Sequence, residues 1–89
     1  MRAVISVVGK DRPGILAVTA TACAERNINI VDVTQKVLQD LFTMNMIVEI
    51  PEDKENMHMI TDDFDRLGQQ QGLSIHVMHE DIFNAMHTI

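Results

Sequence analysis

One short stretch concentrates the groups able to recognise a small molecule: Gly9-Lys10-Asp11-Arg12-Pro13-Gly14-Ile15. It joins an apolar run at residues 3–8 to an alanine-rich pattern that begins near Ile15. Glycines at its two ends permit a positive φ or a close backbone approach. Pro13 suits a turn or a first helical position, where its missing N–H costs nothing. A helix starting here offers unpaired backbone N–H groups beside Asp11 and Arg12, a setting for a small anionic or zwitterionic ligand. A strand-to-helix connection that binds nothing would use the same residues.

The other reactive side chains are less well arranged for chemistry. Asp62, Asp63 and Asp65 lie on one predicted helix, where adjacent positions point apart, so a solvated acidic face is expected rather than a paired acid and base. The histidines His58, His76, His79 and His87 show no HxH or HxxxH spacing and there is no CxxC, so no metal is expected. Cys23 falls inside the alanine-rich helical pattern and reads as a buried, inert thiol. The glycine stretch lacks the Gly-Lys-Ser/Thr ending of a P-loop and is not GxGxxG. No catalytic constellation follows from these spacings, and no cofactor is implied.

These residues need elements to hold them. Residues 2–8 read as a strand apolar on both faces, and so central in its sheet. From Pro13 to about Arg26 a thin, alanine-rich helix carries Ile15, Val18, Ala22 and Cys23 at helical spacing. Asn27-Ile28-Asn29 ends it and opens a β-rich run over residues 28–38. Gln39-Asp40 then makes a tight turn into residues 41–50, where Phe42, Met44, Met46, Val48 and Ile50 share one face. After Pro51, with Asp53 as a predicted N-cap, Met57, Ile60, Phe64 and Leu67 form one helical stripe that Gly72 closes. Leu73, Ile75 and Val77 alternate in a last strand. The order β-α-β-β-α-β is a ferredoxin-like α+β plan, a four-stranded antiparallel sheet with two helices on one face. Val4, Val8 and Leu41 or Ile47 are expected on the other face, an apolar patch of the kind that marks an interface. Ile82, Phe83, Met86 and Ile89 give residues 80–89 an amphipathic helical pattern, expected to pack on this chain or on a partner.

The 89 residues suffice for one domain, 46% hydrophobic and with a net charge of −6. No Lys/Arg cluster exists and the aromatics are three Phe, which argues against nucleic acid and against an anionic membrane surface. A single cysteine and the absence of a leader or a ~20-residue apolar span lead to the expectation of a soluble cytoplasmic protein.

Taken together, the first strand ending Val7-Val8, the Asp11-Arg12-Pro13-Gly14-Ile15-Leu16 turn and the Asn27-Ile28-Asn29-Ile30 entry to strand two resemble an ACT domain, a small-molecule-binding regulatory module. The resemblance covers residues 1–78. Phe42-Thr43-Met44 and Ile82-Phe83-Asn84-Ala85-Met86 are similar to uncharacterised stand-alone ACT proteins. It implies a homodimer with an amino acid bound at the subunit interface. The backbone of Arg12 to Ile15 would then meet the ligand carboxylate, Asp11 would accept from its ammonium, and Asn29 of the partner subunit would bond the same groups. Serine-sensing members carry histidine at Gly9 and asparagine at Asp11, so these departures argue against serine. Among βαββαβ enzymes, acylphosphatase uses an arginine-bearing loop after the first strand; Arg12 is similarly placed, but the glycine-rich phosphate cradle is absent.

The resulting expectation is an ACT domain over residues 1–79 with a helical extension over 80–89, regulatory and not an enzyme. No attached catalytic domain is expected, and the module would act on a regulated enzyme in trans or as a ligand-binding dimer. The alternative is a protein–protein interaction module that works through the open sheet face and the C-terminal helix without a ligand.

Overall fold

Alternation, capping glycines and apolar stripes resolve into seven elements in a computed structural model, which describes residues 1–51 and 54–87, with side chains at 1–51 and 57–86. They are β1 (Arg2–Lys10), α1 (Ile15–Glu25), β2 (Asn29–Leu38), β3 (Leu41–Glu49), α2 (Lys54–Gln71), β4 (Ser74–His79) and α3 (Glu80–His87). The sheet order is β2-β3-β1-β4, with every neighbour antiparallel. β1 is therefore central, as its two apolar faces predict. Asp53 and Ile89 lie outside the described residues.

One sheet face carries the main core. Ala3, Ile5 and Val7 of β1 join Phe42, Met44, Met46 and Val48 of β3, and α1 and α2 cover them with Ile15, Ala22, Cys23, Ile60 and Phe64. The helical spacing of α1 predicts Val18 in this core, but Thr19 is the residue at 0% exposure there. Its hydroxyl donates to the Ile15 carbonyl at 2.9 Å, so a polar side chain enters the core with its hydrogen bond made.

Both long helices end in the same way. Asn27 takes a left-handed φ of 56°, and Ile28 N–H donates to the Cys23 carbonyl at 2.9 Å. At the end of α2, Gly72 has φ 69° and Leu73 N–H donates to the Gly68 carbonyl at 2.8 Å. These six-to-one bonds close the helix and deliver an apolar residue, Ile28 or Leu73, into the core as the next strand begins.

β2 contains a bulge between Ile30 and Asp32. One extra residue reverses the alternation. Beyond it Asp32, Thr34 and Lys36 pair with Ile47, Asn45 and Thr43, on the face away from α1 and α2. On that same face α3 packs over β1 and β4, and Val4 is only 2% exposed. The C-terminal helix thus covers part of its own sheet, while Ile82 and Met86 point outward at 56% and 66% exposure. Val8, Leu38 and Leu41 stay exposed at the hairpin end of the face.

Candidate functional site

Beyond Lys10 the chain leaves the sheet, yet Asp11 N–H still donates to the Asp40 carbonyl at 2.7 Å. The polar turn is thereby tied to the β2–β3 hairpin. Pro13 and Gly14 form the turn itself, and the helix starts two residues later than the earliest position Pro13 would allow. Gly14 is the N-cap, with φ 91° and ψ 1°, and makes no side-chain capping bond. Any residue with a Cβ is strained there. Val18 N–H returns to the Gly14 carbonyl at 2.9 Å, and no acidic residue occupies the first turn of α1. Amide donors at this helix start are left to solvent or a ligand. Ile15 is buried beneath it at 2% exposure and anchors the turn to the core.

Arg12 does not point along the amides. Its Nη2 donates to the Gln71 carbonyl at 3.1 Å and to Gln71 Oε1 at 3.0 Å. The last carbonyls of a helix carry partial negative charge, so a guanidinium is well placed on the end of α2. Arg12 works here as a brace between the turn and α2. Gly9 allows the same approach, because a Cβ on it would fall 2.5 Å from Leu73 Cδ2. Asp40, Gln71 and Leu73 are thus partners of the turn that sequence reasoning missed. Gln71 is 59 residues away in the chain and is an ordinary polar residue at a helix end, so no local signal marks it.

Asn29 is not beside the turn within one chain. It opens β2 opposite Glu49, and Glu49 in turn faces Arg2, whereas Lys10 faces Leu41. Asn29 and the turn therefore occupy opposite ends of the sheet, about 26 Å of strand apart. Asn29 also shares the face of Glu49, away from α1.

Other reactive groups are absorbed by structure. Asp63 pairs with Arg26 at 3.2 Å and with Arg66 at 3.5 Å, linking α2 to the end of α1. His76 is bonded to Ser74 at 3.1 Å, and His79 Nδ1 accepts from Asp81 N–H at 3.0 Å, capping α3. Among the described residues no three His, Cys, Asp or Glu cluster as metal ligands, and no helix is long and apolar enough to cross a membrane.

Cys23 is at 0% exposure, and burial pushes its thiol from 9.0 up to about 11, with Arg26 pulling weakly the other way. The raised value means that the folded state holds its proton where the unfolded chain has lost it. Stability contributed in this way is whole below the unfolded value and declines as pH rises toward the folded one. The fold is expected to lose about 2 kcal/mol between pH 9 and 11 that Cys23→Ala does not lose. Paired melts of the two proteins at about pH 8 and about pH 10.5 check this; parallel declines would refute it.

The molecule is thus a ferredoxin-like βαββαβ sheet with a braced polar turn at the end of its central strand. The chain belongs to the ACT domain family, which it matches over residues 2–78. It is 41% identical to a UPF0237 protein of Methanopyrus kandleri, over 99% of this chain and 98% of that one. A UPF0237 protein of Listeria innocua is 40% identical over the full length of both. Among solved structures it is similar to an ACT domain protein from Streptococcus pneumoniae, with TM-score 0.81, 36% identity and 93% of each chain covered.

Proposed function

We propose that this ACT domain is a regulatory module that pairs with a second copy of itself and binds an amino acid where the Asp11–Ile15 turn meets Asn29 of the partner subunit. The observation that carries the reading is the separation of Asn29 from the turn within one chain. A single subunit cannot use both, whereas an antiparallel neighbour reverses the ends. The supporting edge is β2, whose outer side has no strand partner among the described residues and which exposes Val31, Val37 and Leu38. Such an edge is a template for pairing. Full antiparallel pairing of two β2 edges sets Asn29 of the partner subunit against Leu38, next to the Asp40 carbonyl that holds Asp11. The ligand carboxylate would take the free amides after Gly14, and Asp11 would take the ammonium.

A thermal-shift screen of the standard amino acids tests this. A ligand at a hundred times its Kd is expected to add about 2.7 kcal/mol, or about 10–20 °C for a domain of this size. Val37→Lys, on the edge of β2, is expected to abolish both dimer and shift. A dimer that responds to no amino acid would remove the ligand from this reading, and a monomer would remove the interface.

The exposed Val8, Leu38 and Leu41, with Ile82 and Met86 on α3, favour a second reading, in which the open face and the C-terminal helix dock a protein. A ligand-unresponsive dimer would direct attention there.

A further inference from the structure

Beside α3, on the face away from α1 and α2, is a cleft of about 180 Å³ lined by Val4, Asp32, Thr34, Asn45, Ile47 and Phe83. It is partly open to solvent and large enough for a small organic molecule. Its floor is two rows across three strands. Asp32, Ile47 and Val4 stand side by side in one row, and Thr34, Asn45 and Ser6 in the next. The first row runs from a carboxylate at the edge of the sheet to apolar side chains near its middle.

Each polar member is set in place by something specific. The bulge at Val31 turns Asp32 and Thr34 onto this face; bulges re-aim side chains in this way. Val33 N–H donates to Asp32 Oδ1 at 2.9 Å, which orients the carboxylate and leaves Oδ2. Asp32 has no ion pair among the described residues. Ser6 Oγ donates to Asn45 Oδ1 at 2.7 Å, fixing that amide. Phe83, Val4 and Ile47 form the apolar end, against which a hydrocarbon chain can lie.

We propose that this cleft is a binding site for a short-chain primary amine, its ammonium on Asp32 and Thr34 and its hydrocarbon against Val4, Ile47 and Phe83. The lining contains a carboxylate and no cationic side chain, so a carboxylate on the ligand would be repelled and unpaired. An amine is therefore favoured over an amino acid, and the site is distinct from the turn at Gly14.

Titration of the full chain with n-butylammonium chloride, read through the methyl NMR signals of Val4 and Ile47 and the ring of Phe83, tests this. Saturating shifts at these residues are expected, with butan-1-ol and sodium butyrate at least about tenfold weaker. Asp32→Asn is expected to reduce the amine to the level of the alcohol; Asp32 is exposed on an edge strand, so the fold should persist. Asp11→Asn is expected to leave amine binding unchanged, which separates this site from the amino-acid site. Equal binding of alcohol and amine, insensitivity to Asp32→Asn, or no saturating shift while the chain stays folded would overturn the proposal.

Discussion

Phe64→Ala is expected to remove about 3–5 kcal/mol of stability, a large part of the about 4–13 kcal/mol that a domain of this length possesses. Phe64 is 1% exposed and stands first among the large, fully buried side chains. It carries the stripe of α2 into the core shared with β1 and β3. Its ring also lies 5.6 Å beneath the Arg26 guanidinium, which donates to the Ala22 carbonyl at 2.8 Å and pairs with Asp63. Truncation leaves a cavity and takes away the surface on which the end of α1 rests. The melting temperature should fall by more than about 12 °C, measurable by calorimetry, while Phe64→Leu should retain most of it. A loss below about 1 kcal/mol for the alanine variant would mean that α2 does not dock in this way.

The second large effect runs against helix propensity. In an exposed helix, alanine is better than glycine by about 1 kcal/mol. Gly68→Ala is nevertheless expected to destabilise, because its Cβ would stand 2.6 Å from the Leu73 carbonyl oxygen and 3.4 Å from Ile75. The first of these is backbone and cannot rotate aside. Overpacking of this kind costs about 1–3 kcal/mol, and Gly68→Val should reach or pass the upper figure. The strain passes to the polar turn as well. Gly68 receives Leu73 N–H, Leu73 packs against Gly9, and Gln71 holds Arg12. Loss of any amino-acid response is therefore expected to accompany the loss of stability. Denaturant unfolding of both variants gives the sign directly; a more stable Gly68→Ala would refute the close approach.

The readable parts of this protein are those written in local periods and end signals. Phe42, Met44, Met46 and Val48 alternate into the core because a strand's side chains have period two. Ile60 and Phe64 are buried because a helix repeats every 3.6 residues. Asn27 and Gly72 mark helix ends because few residues tolerate a left-handed conformation. The order of elements along the chain, the central position of β1 and the polar turn at its end follow from such signals. Thr19 escaped them because its hydroxyl satisfies itself on its own helix, which no hydropathy pattern records.

Relations between distant residues were decided only in three dimensions. Arg12 stands in the sequence only as a residue of the turn whose backbone could meet a ligand, and the end of α2 gives its side chain a partner. The family pattern brings Asn29 to the turn only from the partner subunit, and within one chain antiparallel register sets the two at opposite ends of the sheet. The bulge in β2 turns Asp32 and Thr34 to the face of α3, although their alternation in the chain is unbroken. Amphipathicity alone left α3 free to pack on a partner, and its direct continuation from β4 brings Phe83 back over its own sheet beside Val4 and Ile47. Periodicity and capping are properties of neighbouring residues, so the amino-acid order alone determined the elements and the core faces. Strand register and helix docking depend on which distant surfaces meet, so they, and with them the bracing of the turn by α2 and the lining of the cleft beside α3, were determined by the tertiary structure.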